Sequence, residues 1–476
     1  MKKGLSFAVI TLFIGIALAS SITDSEPTSN QTIYSDENGT LSGYVKDTSL
    51  KPIDGAIIRT SCGENYFENV SDSSGYYYID NIPLIFCLWN VSVSKTGYKT
   101  IWVGTGIGEN TTYDFVLTSL DTIYVDDDGT ADYTRIQDAI DNASEGDTVF
   151  VYNGTYFENI VVGKSIDLIG EDKNNTIIDG AGIGCCLMGI AENIYISGFA
   201  FTNSSKDDFA LMFFDGQYTF TDNVISYSKG GIYCSDAEIN VTKNIISNNE
   251  WGIAFENLYH SNIIGNIIQN NSDFGIGLFN CFYSVIQENQ VSNNNYGIKI
   301  TSSWSNIVNE NNITNNTIGV GVEAWDEFST GWNKILDNYI ADNDRGVYLH
   351  AYRCGHVFNT VVAENSIINN EYGIFLASDC QPAELNLNNI TKNLIKDNTE
   401  CGIYLNNTYN NSISNNNFIF NKRTTYFENS YNTWNNNYWN RPRLLPYPIF
   451  GKMDSKLGIE WDWHPRLLPN NIGGDS

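Results

Sequence analysis

The stretch Asn289-Gln-Val-Ser-Asn-Asn-Asn-Tyr-Gly-Ile298 is one copy of a phrase that recurs through the second half of the chain. A typical copy has an Asn, an apolar residue two positions later, and a Gly followed by Ile or Val eight or nine residues after the Asn. The Asn positions are Asn223, Asn244, Asn266, Asn289, Asn311, Asn338, Asn365, Asn393 and Asn417. Another apolar column lies three residues before the Asn, from Phe220 to Ile390. Each repeat therefore supplies three short apolar segments.

The length of these repeats indicates the fold. A unit of about 22 residues cannot bury three β-branched columns alone, but units stacked in register at about 4.8 Å can. We predict a right-handed parallel β-helix of about nine rungs and about 45 Å, because the strand spacing sets its length. Leucine-rich repeats share the period, but Leu is scarce here and no helical stretch fits between the strands. The Asn column should form an amide ladder, and the Gly column should supply backbone conformations that side chains forbid.

The composition narrows the class of protein. The chain has 476 residues, with 55 Asp and Glu against 26 Lys and Arg, which gives a formal net charge of −29. A charge of this sign excludes an electrostatic nucleic-acid binder. With 42% hydrophobic and 17% charged residues, the chain can bury a large core and is unlike a disordered acidic protein. The composition therefore favours an acidic, β-rich globular protein.

The first residues are typical of a secretory signal peptide. Lys2 and Lys3 precede an apolar run from Leu5 to Leu18, and Ala17-Leu18-Ala19 has the small residues that a signal peptidase accepts. We predict a signal peptide over 1–19 and a linker over 20–38; an uncleaved anchor is the alternative, although the run is shorter than about 20 residues. Recurring Asn-x-Ser/Thr triplets suit a glycosylated surface. The protein is therefore expected to be secreted or at the cell surface, and not membrane-spanning after cleavage.

Residues 39–118 predict a small antiparallel β-sandwich, because short runs alternate apolar and polar residues between turns. The segments Gly43-Tyr-Val-Lys-Asp47, Asp72-Ser-Ser-Gly-Tyr76 and Lys95-Thr-Gly-Tyr98 resemble the carboxypeptidase regulatory-like domain. That resemblance implies a prealbumin-like fold, used in secreted proteins as a spacer or an ancillary carbohydrate-binding module. Cys62 and Cys87 are the first disulfide candidates; two buried thiols are the alternative.

Residues 122–431 are predicted to form the β-helix with a helical cap at its N-terminal end. Thr134-Arg-Ile-Gln137 reads as a capping box before apolar residues at helical spacing. The run Ile123-Tyr-Val-Asp-Asp-Asp-Gly129, followed by Leu168-Ile-Gly170 and Ile178-Asp-Gly180, resembles the pectin-lyase-like superfamily, and with the rungs it is similar to the NosD-type domain of exported archaeal and bacterial proteins. The superfamily includes polysaccharide lyases, glycoside hydrolases, adhesins and NosD itself, which is linked to copper delivery. Residues 432–476 should cap the last rung.

Three successive repeats carry an insertion at one corner of the predicted helix. The distance from Gly to the next Asn grows from 13 or 14 residues to 19 or 20, over residues 323–332, 350–356 and 378–384. Insertions at one corner of stacked rungs must meet in space, and aromatic and charged side chains there suit a saccharide groove. The candidate carbohydrate-binding residues are Trp325, Asp326, Trp332, His350, Tyr352, Arg353, His356, Asp379 and Glu384. Loops that only pack on one another are the alternative.

The same insertions contain Cys354 and Cys380, which rung spacing brings within disulfide range; metal ligation is the alternative for this pair. For copper, His350 and His356 alone are too few ligands, and the four Met residues form no cluster. Asp126-Asp-Asp128-Gly129 could hold calcium, or could form a turn before the helix. We therefore predict no cofactor, with calcium as an option.

Catalytic motifs are sparse. The family patterns Gly-His-Gly and Arg-x-Lys of β-helix hydrolases do not occur, and only Asp207-Asp208 resembles one of the acidic motifs. Asp342, Asp344 and Arg345 could be fitted to a lyase scheme, but they lie in an Asn-rich turn that suggests a solvated corner. The leading hypothesis is an exported, non-catalytic protein that contacts a polysaccharide or glycoconjugate. The alternative is a polysaccharide lyase or glycoside hydrolase that acts on an acidic or envelope glycan.

Overall fold

The computed structural model describes residues 38–85, 87–326, 328–379 and 385–472. They divide into two compact units with the boundary between Ser119 and Leu120. The predicted signal peptide and nearly all of the predicted linker lie outside the described residues. Within the described ranges, no helix is both long enough and apolar enough to span a membrane.

The first unit consists of two four-stranded sheets. One sheet contains Asn38–Asp47, Tyr76–Pro83, Thr111–Thr112 and Phe115–Leu117, and the other contains Ile57–Cys62, Asn65–Val70, Trp89–Ser94 and Ile101–Thr105. Leu41, Tyr77 and Trp89 are buried in its core, as the alternating pattern predicts. Cys62 and Cys87 form a disulfide with their Cα atoms 6.6 Å apart.

The second unit is a coil of parallel strands with three faces, which confirms the predicted β-helix. The first face contains Gly154–Phe157, Thr176–Asp179, Ala200–Thr202, Val224–Ser226, Ile245–Ser247, Ile267–Gln269, Gln290–Ser292, Asn312–Thr314, Tyr339–Ala341, Ser366–Ile368, Leu394–Lys396, Asn417–Ile419 and Tyr438–Trp439. The second, which we call the long-strand face, contains Ile160–Val162, Leu187–Gly189, Phe209–Phe214, Gly230–Ser235, Trp251–Glu256, Phe274–Phe279, Tyr296–Thr301, Ile318–Trp325, Arg345–Tyr352, Tyr372–Ser378, Cys401–Asn406, Thr425–Glu428 and Tyr447–Met453.

The third face completes each rung. It contains Thr122–Val125, Thr148–Val151, Asp167–Gly170, Asn193–Ser197, Gln217–Thr221, Glu238–Thr242, Asn262–Ile264, Val285–Gln287, Ile307–Asn309, Lys334–Leu336, Val361–Ala363, Asn389–Thr391, Tyr409–Ser414, Tyr431–Asn435 and Lys456–Asp462. Three short strands lie between the long-strand and third faces, at Ser329–Gly331, His356–Phe358 and Leu385–Asn386. Thirteen strands stack on the first face. The coil is therefore about 60 Å long at a strand spacing of about 4.8 Å, longer than the predicted nine rungs.

The predicted apolar columns form the interior of the coil. Val241, Ile246, Ile253 and their counterparts in the other rungs are fully or almost fully buried. The prediction is wrong by one residue at its last repeat, because Phe418, not Ile419, pairs with Ile395 and is buried. The Asn that belongs to this column is accordingly Asn416, not Asn417.

The predicted amide ladder is present, and a second one accompanies it. Asn311 donates from its Nδ2 atom to Asn338 Oδ1 over 2.9 Å. The buried Asn residues of this column from Asn223 to Asn416 repeat the contact with the next rung, and the last one, Asn437, donates to Asp462. A second buried ladder lies at the corner before the long-strand face, where Asn294 donates to Asn316 over 3.1 Å. Both ladders satisfy backbone groups that would otherwise be buried without partners. The sequence pattern did not predict the second ladder.

The structural reason for glycine at the repeat positions differs from the predicted one. None of the eight repeat glycines adopts a positive φ; Gly297, for example, is not among the residues in that region. A Cβ added at Gly297 would lie 2.6 Å from the carbonyl oxygen of Gly319, so the glycines allow close approach between rungs. Left-handed conformations occur instead just before the ladder Asn, as at Glu288 with φ 55°.

A short helix, Ile136–Asn142, covers the first rung and buries Ile136, Ala139 and Ile140. The predicted capping box is wrong, because Arg135 is the N-cap residue and no side-chain cap hydrogen bond forms there. The buried carboxylate of Glu158 accepts from the backbone N–H of Ile136 at 2.8 Å instead. An acceptor from a later rung therefore replaces the local one.

The coil continues past the predicted boundary at residue 431. Trp434 and Trp439 are buried and extend the interior columns, as expected for core tryptophans. An antiparallel hairpin of Tyr447–Met453 and Lys456–Asp462 then pairs with the last rung. Asp462 accepts from the Trp439 indole N–H at 3.0 Å, so the hairpin closes the open end of the coil.

Candidate functional site

The described parts of the three insertions lie side by side between the long-strand and third faces. Trp325 pairs in register with Tyr352, and Ser329 pairs with His356. The strand Arg345–Tyr352 pairs in turn with Tyr372–Ser378. We call this region, residues 323–326, 328–332, 350–356 and 378–379, the extended corner.

Stacked rings cover the outer side of the extended corner. The Trp325 and Tyr352 rings stack with centroids 3.8 Å apart and planes 11° apart. Tyr352 also meets the edge of His350 at 3.7 Å, and the hydroxyls of Tyr348 and Tyr352 are 2.9 Å apart. We call the set Trp325, Tyr348, His350, Tyr352 and Phe375 the aromatic plate. Its members alternate with core residues along their strands, which is why they share the outer side.

Two cations lie on this surface without a carboxylate partner. The Arg345 guanidinium is 4.7 Å from the ring centroids of both Tyr348 and Phe375. Lys299 is 4.7 Å from the ring of Tyr296 on a preceding rung. Neither cation forms a salt bridge with any described residue. In a chain with a net charge of −29, these two cations give the plate a local positive charge, which favours an anion.

A buried carboxyl group lies next to the plate. Glu323 is fully buried, and its Oε1 atom accepts from the Tyr296 hydroxyl at 2.8 Å. Burial raises the pKa of Glu323, while the charges of Lys299 and Arg345 act in the opposite direction. Glu323 was not among the site residues predicted from the sequence. Its position between core residues of one strand was the available signal, because alternation points it outward with Trp325.

His350 is buried between Tyr348 and Tyr352, and its Nε2 atom is 3.3 Å from the Asp379 carboxylate. Burial lowers the pKa of His350 to about 4, although Asp379 acts in the opposite direction. The imidazole is therefore neutral near pH 7. It contacts the rings of Tyr348 and Tyr352, and also Asp379, whose side chain is half exposed.

The other predicted site residues are more dispersed. Asp326 and Arg353 are exposed, with carboxylate and guanidinium 4.0 Å apart. Trp332 is half exposed and meets Phe358 edge to face at 4.7 Å, with no ring contact to the plate. His356 is exposed beside it in the short strand. Glu384 lies outside the described residues.

Cys354 takes part in a disulfide. Cys380, its predicted partner, lies outside the described residues. A sulfur in a disulfide is not a thiolate ligand, so Cys354 does not add to the metal-binding capacity of the corner.

Comparison with known protein families adds an independent result. The family described as periplasmic copper-binding protein (NosD) matches residues 140–360 and 351–452, which together are more than half of the chain. The chain belongs to the NosD family. The matched residues cover nearly all of the coil, so the NosD family assignment rests on the rungs and not on the first unit. No curated protein matches the sequence.

Solved structures share the fold of this NosD family member. A family 28 exopolygalacturonase from Yersinia enterocolitica aligns with a TM-score of 0.50 and 10% identity, over 76% of this chain and 86% of that one. The Dettilon tailspike protein aligns with a TM-score of 0.47 and 16% identity, over 64% of this chain and 68% of that one. At 10% identity, the likeness to the exopolygalacturonase shows the fold alone.

The family description raises the question of copper, which the described residues do not fit. No group of three or more His, Cys, Asp or Glu among them could hold a metal ion. The histidines lie apart: His260 stacks on Tyr283 at 5.3 Å, and His464 contacts Asn435 at 3.0 Å. Copper sites need converging imidazole or sulfur ligands.

The acidic run before the helix forms a hydrogen-bonded turn. Asp126 accepts from the Thr130 hydroxyl at 2.9 Å, and Asp127 accepts from the backbone N–H of Thr155 at 3.2 Å. These contacts account for the carboxylates without an ion. Calcium binding at this run stays a prediction.

Proposed function

We propose that the chain is an exported protein that binds an acidic polysaccharide or glycoconjugate through its aromatic plate. The observation that carries the proposal is the Trp325–Tyr352 stack next to the unpaired Arg345 guanidinium. An exposed aromatic face packs against the C–H face of a sugar ring, and a guanidinium forms paired hydrogen bonds with a carboxylate. The two groups together match a sugar that carries an acid.

Export is supported by two observations. The family description names the periplasm, and the apolar run near the N-terminus is typical of a signal peptide. A family of exported β-helix proteins is a suitable setting for contact with an extended glycan, because stacked rungs offer a long surface.

Binding is tested by titrating polygalacturonate and alginate oligosaccharides into the purified protein, with uncharged dextran as a control ligand. We expect the acidic oligosaccharides to bind and dextran not to bind. Arg345→Gln should weaken binding, since it removes the cation and keeps the hydrogen-bonding shape. Arg443→Gln is the matched control, because Arg443 also lies over a ring, that of Tyr447, outside the plate. Equal losses in both variants, or no acidic ligand bound, would overturn the proposal.

Cleavage of the same glycan is a second candidate function, and Glu323 is the observation in its favour. A carboxyl group with a raised pKa can act as a general acid. Incubation with the same oligosaccharides, followed by assays for reducing ends and unsaturated products, separates the two functions. Products that disappear in Glu323→Gln would show an enzyme, whereas binding without products supports a non-catalytic role.

A further inference from the structure

The corner that carries the insertions has another unusual feature in earlier rungs. Ser235 pairs with Glu256 before the corner, and Asn240 pairs with Asn262 after it. The later corner is therefore one residue longer than the earlier one. This change of width produces a step on the surface of the coil, and Tyr259 lies on the longer side.

An open cavity of about 770 Å³ lies at this step. Tyr259 lines one end, and the small residues Gly216 and Ala237 form part of the floor on the shorter side. The lining residues extend over four rungs, from Glu192 to Asn257. At about 4.8 Å per rung the cavity is about 14 Å long, which is enough for a short chain of linked rings.

The ring of Tyr259 is the free end of an aromatic stack. Tyr259 and Phe282 stack with centroids 4.8 Å apart, and Phe282 and Trp304 stack at 5.1 Å. In the rung before Tyr259 the corner carries Ala237, and no described ring lies against the second face of Tyr259. Tyr259 is 52% exposed. A ring bound in the cavity would take the next place in the stack.

The charge of the lining selects the ligand. Four exposed carboxylates face the cavity, those of Glu192, Asp215, Asp236 and Glu238. No Lys or Arg is among the described residues that line it. None of the four forms a salt bridge with a described residue. The carboxylates lie within a screening length of about 10 Å of one another along the rungs, so they favour a cation. The carboxylates set the sign of the charge, while the cavity and the free ring set the shape.

We infer that this cavity binds a saccharide with protonated amino groups, with one sugar ring on Tyr259 and its ammonium groups near the carboxylates. The inference does not rest on the proposed function, because the aromatic plate carries cations and selects the opposite charge. Trp325→Ala should therefore leave this binding unchanged. Binding at the aromatic plate and binding in this cavity can therefore be refuted independently.

The test is calorimetric titration with a glucosamine tetrasaccharide, with the N-acetylglucosamine tetrasaccharide as the uncharged counterpart. We expect the glucosamine tetramer to bind and its acetylated counterpart to bind much more weakly. Tyr259→Ala should weaken binding about tenfold, since it removes the stacking surface. Asp236→Asn should weaken it by roughly two- to fivefold, as for an exposed ion pair.

Matched controls lie outside the cavity. Tyr227→Ala removes another exposed tyrosine, and Asp207→Asn removes another exposed carboxylate; both should leave affinity unchanged. If Tyr259→Ala fails to fold, the double variant Asp236→Asn with Glu238→Gln carries the test. Equal affinity for both tetramers, or full affinity in Tyr259→Ala, would overturn the inference. Displacement of the tetramer by Ca²⁺ with no effect of Tyr259→Ala would show a cation site only, which also overturns it.

Discussion

Two corners of the coil repeat almost unchanged, whereas the corner between the long-strand and third faces varies along the axis. At the constant corners, the ladders through Asn311 and Asn294 satisfy the backbone of each successive rung. At the variable corner, the row of stacked Asn side chains is interrupted by Ser284 and Thr360. Between these two positions, Asn306 donates to Asn333 at 3.1 Å. The insertions lie before Asn333, Thr360 and Asn388, and these residues keep their hydrogen bonds with neighbouring rungs. The ladders stabilise the coil, and the variable corner is where we propose that the binding surfaces lie.

Substitutions in the interior of the coil should lower the free energy of unfolding more than substitutions at any of its corners. Ile298 is fully buried, so Ile298→Asp places a carboxylate among apolar side chains and should cost about 4 kcal/mol or more. Denaturant unfolding followed by circular dichroism measures the loss. Asn295→Asp, three residues earlier on the exposed side, should change stability by less than about 0.5 kcal/mol. Similar losses in both variants would mean that the register is wrong.

The constant corners come next in expected effect. Asn311→Ala removes the acceptor for Asn289 and the donor to Ile286 and Asn338. Leaving these buried groups unsatisfied should lower the free energy of unfolding by about 2–4 kcal/mol. The neighbouring residue Asn312 is exposed, so the variant Asn312→Ala serves as the control in the same denaturation experiment. Equal free energies of unfolding for Asn311→Ala and Asn312→Ala would mean that the ladder does not stabilise the coil.

The variable corner should contribute a pH dependence. The pKa of His350 is lowered by burial to about 4, whereas the unfolded chain protonates its histidines near 6.5. The unfolded state therefore binds more protons between these values, and the stability contribution is lost as the pH falls below about 6.5. Asp379 and Arg345 act on the same group in opposite directions, and Glu323 nearby has the opposite pH dependence because its pKa is raised.

His350→Phe keeps the ring packing and should flatten the acid side of the stability profile between pH 7 and pH 5. Unfolding free energies at several pH values compare the two proteins. A profile that is equally steep in His350→Phe and the original chain would contradict the buried, neutral imidazole.

The sequence predicted the coil because its interior repeats. Columns such as Ile246, Ile268 and Val291 recur at a nearly fixed interval, and strand spacing then leaves one way to bury them. The second ladder was missed because Asn294 and its counterparts lie in Asn-rich runs, where neighbouring asparagines hide the column. The capping box failed because Glu158, which is distant in sequence, supplied the acceptor at the helix N-terminus.

Loop lengths predicted the position of the extended corner but not its detail. Loop lengths indicated a shared corner, because they depend only on residue counts. The burial of His350 and Glu323 depends on how Trp325 and Tyr352 stack across rungs, which no local pattern specifies. The cavity at Tyr259 arises from a difference of one residue between neighbouring corners, which is too small to stand out in a sequence.

The most direct test of the account compares two tryptophans of the extended corner. Trp325 stacks on Tyr352 within the aromatic plate, whereas Trp332 contacts Phe358 and has no ring contact with the plate. With a polygalacturonate oligosaccharide as ligand, Trp325→Ala should raise Kd about tenfold, and Trp332→Ala should leave it within about twofold. Equal Kd changes in the two variants, or an unchanged Kd in Trp325→Ala, would contradict the claim that the plate is the glycan-binding surface.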